Sequence, residues 1–374
     1  MSRPANKTAN EVLQAEAIRR HIDLQHYSNA VVRKVIAALN RADADLVTRI
    51  ERALETGATD AKLAHLESML ASIRALNAEA YRQAGLALDS DLKALSAHEA
   101  VQLPQAIMAA LPGDVAAEIS LAAVTANQVY AATMARPFQG RLLNEWMADM
   151  AADRAKRIRD AIRIGIVQNQ PTQEIVRGIR GTRANGYADG LLERPRKDLQ
   201  TVVQTAVAHT AQVAREQVAD ANADILKGTQ WVSTLDTHTC PVCARHDGEQ
   251  YAIGTHKPLG PQKLPYLGGP GAVHFNCRCT SVPVLKSWRE LGMKDLPPAS
   301  RASMDGQVPE TVTFAEWLAD QPASRVVDVL GPTRAKLYMD GGLKLTEFTN
   351  RRGVLYTLDE LRARDAAAFA KAGL

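Results

Sequence analysis

The chain has few aromatic residues and no long apolar run. Phe, Trp and Tyr make up 5% of its 374 residues, and the alanine- and leucine-rich sequence before Pro195 favours helix packing over a large β-sandwich. No stretch of about 18 uninterrupted apolar residues could span a bilayer. The N-terminal "MSRPANKTANE" also lacks the apolar region of a secretory signal. We therefore expect a globular protein that is made and assembled in the cytoplasm.

The usual catalytic motifs are missing from the sequence. It contains no G-x-x-x-x-G-K-[ST] phosphate loop, no H-E-x-x-H, no G-x-S-x-G and no G-x-G-x-x-G after a strand. Asp236 and Asp247 could serve as acid–base groups, but acidic residues in loops more often cap turns. The sequence therefore predicts a protein that is not an enzyme.

Helical spacing dominates the first half of the chain. A capping box at Thr8 and Glu11 opens a first helix, and a second helical run covers about 61–95. Pro104 indicates a helix boundary, because proline cannot continue the backbone hydrogen-bond ladder. One buried stripe is predicted on the first helix from apolar residues at helical steps: Ile18, Ile22, Val31, Val35 and Leu39.

The predicted fold is mainly α, with a multi-helix N-terminal region, a small cysteine-containing α+β module and a short α-rich C-terminal domain. We place a helical docking region at 1–135, a second domain at 136–290 with the cysteine module at 231–285, and a linker with a small domain at 291–374. Trp231 lies in a predicted strand. Residues 236–285 contain 6 Gly and 6 Pro, too many turn formers for a self-sufficient apolar core.

All four cysteines of the chain lie in this module. Cys240 and Cys243 form a C-x-x-C, while Cys277 and Cys279 form a C-x-C with His274 three residues before it. Four thiolates, or three with His274, could close a tetrahedral Zn²⁺ site without an open position, and such a site is structural. Disulfides or reduced thiols are the alternatives. A thioredoxin-type redox role is disfavoured, because that motif lies at the start of a helix in a βαβ unit. Here the C-x-x-C follows "LDTHT" and leads into "HDGEQ", and no helix start is expected at it.

Residues 151–200 are basic, with 11 Lys/Arg against 6 Asp/Glu. A solvated helix face is the plain interpretation, and contact with phosphates or an acidic partner is the functional one. The candidate contacts to DNA or an acidic partner are Arg154, Lys156, Arg159, Arg177, Arg180 and Arg183.

"WVSTLDTHTCPVCARHDGEQY", followed by "PGAVHFNCRCTSVPV", resembles the head morphogenesis, or minor head, protein family of tailed bacteriophages. The F protein of phage Mu and the gene 7 product of phage SPP1 typify this family. The resemblance runs from about Gly140 to Arg362. Beyond the cysteines and His274, the signature is met by Asp236, Asp247, Gly248 and Arg278.

The resemblance implies a minor capsid component of the virion, in the head interior or at the portal vertex. The implied partners are the portal protein and the major capsid or scaffold proteins, with double-stranded DNA as a further candidate and no membrane. The alternative function is sequence-independent DNA binding during genome packaging or ejection. A toxin-like enzyme is a third and less favoured hypothesis.

Overall fold

The computed structural model describes residues 9–56, 63–111, 116–117, 119–260, 262–286, 300–304, 306–309, 312–350 and 353–374. These residues form twelve α-helices, a small antiparallel sheet and a two-stranded hairpin. The prediction of a mainly α fold is therefore confirmed.

Two long helices begin the chain. Helix α1 spans Ala9–Thr56 and α2 spans Leu63–Ala110, and each has 48 residues, which corresponds to a length of about 72 Å. Val31, Val35 and Leu39 are buried on α1, whereas Ile22 is 54% exposed. The predicted stripe is thus wrong at Ile22, and the predicted capping residue Thr8 lies outside the described residues.

Pro104 does not end a helix, contrary to the sequence-based prediction. It lies inside α2, which continues to Ala110. Proline removes a single ladder hydrogen bond at this point, while Leu103 and Ile107 on either side are buried in one apolar core. Tertiary packing therefore outweighs the local preference for a break.

The remaining helices are shorter. The middle of the chain contains α3 (Ala126–Ala135), α4 (Leu143–Val167), α5 (Thr172–Arg180), α6 (Glu193–Ala221) and α7 (Pro241–His246). The C-terminal part contains α8 (Phe314–Ala319), α9 (Ala323–Leu330), α10 (Pro332–Met339), α11 (Leu358–Arg364) and α12 (Ala366–Lys371). Two 3₁₀ turns lie at Arg183–Asn185 and Leu345–Phe348.

The larger sheet has three antiparallel strands in the order β2-β1-β3. They are β1 (Leu226–Val232), β2 (Gln250–Ala252) and β3 (Thr280–Leu285). Strand β1 is central, and its register pairs Val232 with Thr280. The hairpin consists of β4 (Ser300–Ser303) and β5 (Gly306–Pro309).

The chain divides into two compact units. The first consists of 1–24, 96–133 and 208–374, and the second consists of 25–95 and 134–207. This division is discontinuous in sequence, because α1, α2 and α6 each contribute residues to both units. The proposed boundaries at 135 and 290 remain predictions, and 290 itself lies outside the described residues.

Each unit has its own apolar core. In the second unit, Leu46, Ile73, Ile158, Ile162 and Ile175 are buried together. The first unit contains a core under the sheet and another in the C-terminal helices. Trp317 is buried in the C-terminal core.

Candidate metal centre

The C-x-x-C motif lies at the start of α7, after the loop that follows β1. Cys240 is the N-cap of this six-residue helix, and its sulfur accepts a hydrogen bond from the backbone N–H of Cys243 at 3.4 Å. The expectation that this motif avoids a helix start is therefore wrong. The flanking strands β1 and β2 are antiparallel, so no βαβ unit surrounds it and the thioredoxin arrangement is absent here.

Pairing of β3 with β1 brings the second cysteine pair close to the first. Because β3 pairs with β1, Cys279 immediately before β3 lies beside the residues that follow β1. Cys277 lies two residues earlier, and its sulfur accepts a hydrogen bond from the Gly271 N–H at 3.3 Å. A loop of 33 residues is thereby closed at its ends by strand register rather than by covalent bonds.

Five ligand atoms gather in two overlapping groups. The His274 Nε2 lies 3.2 Å from the Cys240 Sγ and 3.3 Å from the Cys243 Sγ, and the Cys243 and Cys277 sulfurs are 3.7 Å apart. Cys240, Cys243 and His274 form one group, and Cys243, Cys277 and Cys279 form the other. Cys243 belongs to both.

These distances suit a tetrahedral zinc ion. Zn–S bonds of about 2.3 Å separate two tetrahedral sulfur ligands by about 3.8 Å, close to the observed spacing of Cys243 and Cys277. A disulfide requires about 2.05 Å between sulfurs, and all four cysteines are free. Of the alternatives left open by the sequence, the structure contains free thiols arranged as metal ligands and no disulfide.

The ring orientation of His274 also fits metal binding. Its Nδ1 lies 2.7 Å from the carbonyl oxygen of Phe275, which can only accept a hydrogen bond. The proton of a neutral ring is therefore fixed on Nδ1, and the lone pair of Nε2 faces the sulfurs. A carbonyl that holds the distal ring nitrogen is the usual support of a zinc-ligating histidine.

The cluster favours separated charges when no ion is present. Hydrogen bonds to the sulfurs of Cys240 and Cys277 raise the pKa of His274 to about 11. A hydrogen bond with Cys243 lowers the pKa of Cys240, while the hydrogen bond with Cys240 raises the pKa of Cys243. The Cys240 thiolate and the His274 imidazolium are thus stabilised inside a mostly buried site, whereas Cys243 keeps its proton, and a bound cation could take the place of these protons.

Asp236 and Arg278 form an ion pair across the two halves of the module. The guanidinium donates to both carboxylate oxygens, with Nη1 to Oδ2 at 2.6 Å and Nη2 to Oδ1 at 2.7 Å. Asp236 Oδ1 also accepts the N–H of His238 at 2.9 Å. Because Asp236 precedes the C-x-x-C and Arg278 lies inside the C-x-C, this pair holds the two ligand loops together.

Asp247 connects the module to the C-terminal core. One carboxylate oxygen accepts the N–H of Ser233 at 2.8 Å, and the other accepts the N–H of Phe314 at 2.9 Å. Gly248 follows with a φ of 81° and donates its N–H to the Trp231 carbonyl at 2.9 Å. That positive φ explains why glycine follows the aspartate.

Replacing Asp247 with alanine is expected to lower the free energy of unfolding by about 3 kcal/mol. Two buried N–H groups would lose a charged acceptor, and each such hydrogen bond contributes about 1.5 kcal/mol at the lower end of the usual range. Urea unfolding of purified protein measures the change. Asp236→Ala serves as a comparison, because its ion pair is partly exposed, and a smaller loss is expected there. Equal effects at both positions would contradict this account.

Comparison with known families identifies the module. Residues 156–282 match the family described as Phage Mu protein F like protein. This match confirms the resemblance to phage head morphogenesis proteins. It covers about a third of the chain and contains all four cysteines and His274. No curated protein and no solved structure gives a significant match to the chain.

A buried polar network of the Mu F-like segment escaped the sequence reasoning. Tyr266 donates to Glu216 and accepts from Gln212 at 2.7 Å, and the His256 ring stacks on Tyr266 with centroids 4.1 Å apart. This network fastens α6 to the glycine-rich loop that leads to His274. Gln212 and Glu216 lie four residues apart, on one face of α6, and nothing in their spacing distinguishes them from the other polar residues of this helix.

The basic candidates of the segment and its upstream helix differ in exposure. Arg154 is 1% exposed and pairs with Asp43, so the structure removes it from any phosphate-contacting surface. Arg159 pairs with Asp160 at 2.7 Å. The exposed members are Lys156, Arg177, Arg180 and Arg183. No helix in the described part of the chain is long and apolar enough to cross a membrane.

Proposed function

We propose that the protein is a minor head protein of a tailed bacteriophage or prophage. It is a structural and assembly component of the procapsid, associated with the portal vertex and packaged DNA, and its place in the virion is the head interior or the portal vertex. The Mu F-like match over 156–282 supports this proposal. The partners we infer are the portal protein and the major capsid or scaffold proteins.

The observation that carries this proposal is the set of contacts that the signature residues make in the structure. Asp236 is bound by Arg278, Asp247 caps two backbone N–H groups, and His274 faces three cysteine sulfurs. No carboxylate of this set is left open to act on a substrate. The signature therefore specifies a rigid module, as a structural component requires, and an enzyme reading has no support from these residues.

We further propose that one Zn²⁺ holds this module together. Cys240, Cys243 and Cys277 supply three thiolates, and His274 or Cys279 supplies the fourth ligand. When bound, the ion acts as a structural crosslink with no open coordination position. The Asp236–Arg278 ion pair and the Gly271 N–H orient the loops that carry the sulfurs.

Analysis of phage heads tests the assembly function. Heads produced with the wild-type gene, with a deletion and with a Cys243→Ser allele are separated by gradient sedimentation, and their proteins are identified by mass spectrometry. We expect the wild-type protein in procapsids at low copy number and fewer infectious particles without it. Heads of identical composition, sedimentation and infectivity in all three strains would contradict the proposal.

A second candidate function is sequence-independent DNA binding in genome packaging or ejection. The observation in its favour is that Arg177, Arg180 and Arg183 are all exposed within seven residues. The carboxyl-terminal turn of α5 carries two of them. Such a group can contact successive phosphates without reading bases.

Salt dependence tests the DNA-binding candidate. Each lost phosphate contact lowers the slope of log K against log salt by about 0.9. Replacing Arg177, Arg180 and Arg183 together with alanine should therefore reduce the slope by about 3 in fluorescence titrations with duplex DNA. The matched control replaces the exposed Arg33, Arg41 and Arg49 of α1 with alanine. Undetectable or salt-insensitive binding by the wild-type protein would exclude this candidate.

A further inference from the structure

A long apolar groove runs along the second unit. Its volume is about 800 Å³, and it is lined by residues 70–89 of α2, Met134 of α3 and residues 143–159 of α4. The lining on α2 recurs at helical steps over about five turns, or about 28 Å. The size is within the range of ligand sites, about 300–1,000 Å³, but the elongated form suits a helix better than a compact molecule.

Asn77 is a buried polar residue of the groove lining. It is 1% exposed, and its Nδ2 donates to the Ala151 carbonyl at 2.7 Å. Its Oδ1 is buried beneath the surface. The groove therefore presents mainly apolar atoms to an occupant, and Asn77 joins α2 to α4 below it.

The rim of the groove has an excess of positive charge. Arg82 is neutralised by Glu79, Arg159 by Asp160, and Asp89 by Lys93. Arg74 and Lys156 also line the groove, are exposed, and have no ion-pair partner in the described part of the chain. Two cations therefore remain at the edge of an apolar trough, and they suit a partner with carboxylates beside an apolar stripe.

We propose that this groove binds an amphipathic α-helix of another protein, with an apolar stripe and acidic residues along its flank. Leu86, 52% exposed at the edge of the groove, and the small Ala148 would contact the apolar face. Arg74 and Lys156 would pair with the carboxylates. A second copy of this chain is a poorer occupant, because the net charge of the chain is +4 and identical basic rims would repel one another.

A synthetic helical peptide tests the groove directly. The probe is a fluorescein-labelled amphipathic peptide of about 18 residues, with leucines on one face and glutamates flanking them, and binding to the full chain is followed by anisotropy. Its counterpart carries glutamine in place of every glutamate. We expect the acidic peptide to bind saturably and the glutamine peptide to bind about tenfold more weakly.

Protein variants locate the binding. Arg74→Glu with Lys156→Glu should weaken the acidic peptide about tenfold, whereas Arg33→Glu with Arg49→Glu, on exposed positions away from the groove, should change its affinity by less than about twofold. Ala148→Trp should abolish binding by filling the trough. Leu86→Glu provides a second blocking variant at an exposed position, and circular dichroism checks that each variant folds.

Three results would overturn the proposal. They are equal affinity for the acidic and glutamine peptides, equal effects of the rim and control reversals, and unchanged binding by the two blocking variants. Sedimentation of the protein without peptide tests whether a second copy of the chain occupies the groove. Self-association that is lost in Ala148→Trp would assign the groove to a second copy and would also overturn it.

Discussion

Under the zinc proposal, replacement of Cys243 with serine is expected to abolish zinc binding and to unfold the cysteine module. Cys243 is shared by both ligand groups, so its loss leaves neither of them complete. Structural zinc contributes about 10–16 kcal/mol of apparent binding free energy in small zinc modules, and this module is rich in glycine and proline. Elemental analysis should fall from about one zinc per chain to background, with faster hydrogen exchange at residues 240–280.

Histidine variants provide the matched control and identify the fourth ligand. His274→Ala is expected to lose zinc, whereas His238→Ala and His256→Ala, outside both ligand groups, should retain it. Zinc loss in Cys279→Ser with retention in His274→Ala would instead assign all four positions to cysteine. A wild-type protein that takes up no zinc after refolding in its presence would contradict the metal proposal.

Replacement of Asp43 with alanine is expected to destabilise the second unit by about 3–5 kcal/mol. Asp43 is 4% exposed and pairs with the fully buried Arg154 and with Arg196. Without the carboxylate, the Arg154 guanidinium would be buried with no ion-pair partner among the described residues, whereas the partly exposed Arg196 would keep Glu193 at 3.6 Å. Urea unfolding measures the loss, and hydrogen exchange of α4 amides should rise with it.

Two variants test the cause of this loss. Asp45→Ala, an exposed carboxylate two residues away on α1, should change the free energy of unfolding by less than about 0.5 kcal/mol. Asp43→Leu combined with Arg154→Met should recover much of the stability, because apolar residues often replace a buried ion pair without cost. A loss in the double variant as large as in Asp43→Ala would show that lost packing, rather than an uncompensated charge, dominates.

The two long N-terminal helices were predictable from local sequence, but their ends and partners were not. Helical spacing predicted one helix in the region of α1 and another over about 61–95, which is the first part of α2. The helix boundary predicted at Pro104 was wrong, because burial of the neighbouring residues outweighs a proline penalty of about 3 kcal/mol. Local sequence does not reveal the core in which they are buried. Ile22 was predicted to be buried and is exposed, since helical spacing does not fix which residues of an apolar stripe contact another element.

The candidate metal site was largely visible in the sequence, whereas the basic surface was not. Cysteine spacing selected the ligands, since two short motifs are the simplest way to present soft ligands to one ion. The charge count over 151–200 placed Arg154 among the surface residues. Its role depends on Asp43, more than a hundred positions earlier in the chain, and no local pattern encodes that contact.

The sequence by itself determined the helical class, the candidate ligand set around His274 and the resemblance to a known family that residues 156–282 carry. These features rest on periodicity and on short motifs, which are local properties of the chain. Only the tertiary structure decided which candidate ligand atoms meet at Cys243, that Asp236 is bound by Arg278, and that α2 and α4 line an apolar groove. Each of these features requires contact between distant segments, and such contacts are fixed by the packing of whole elements.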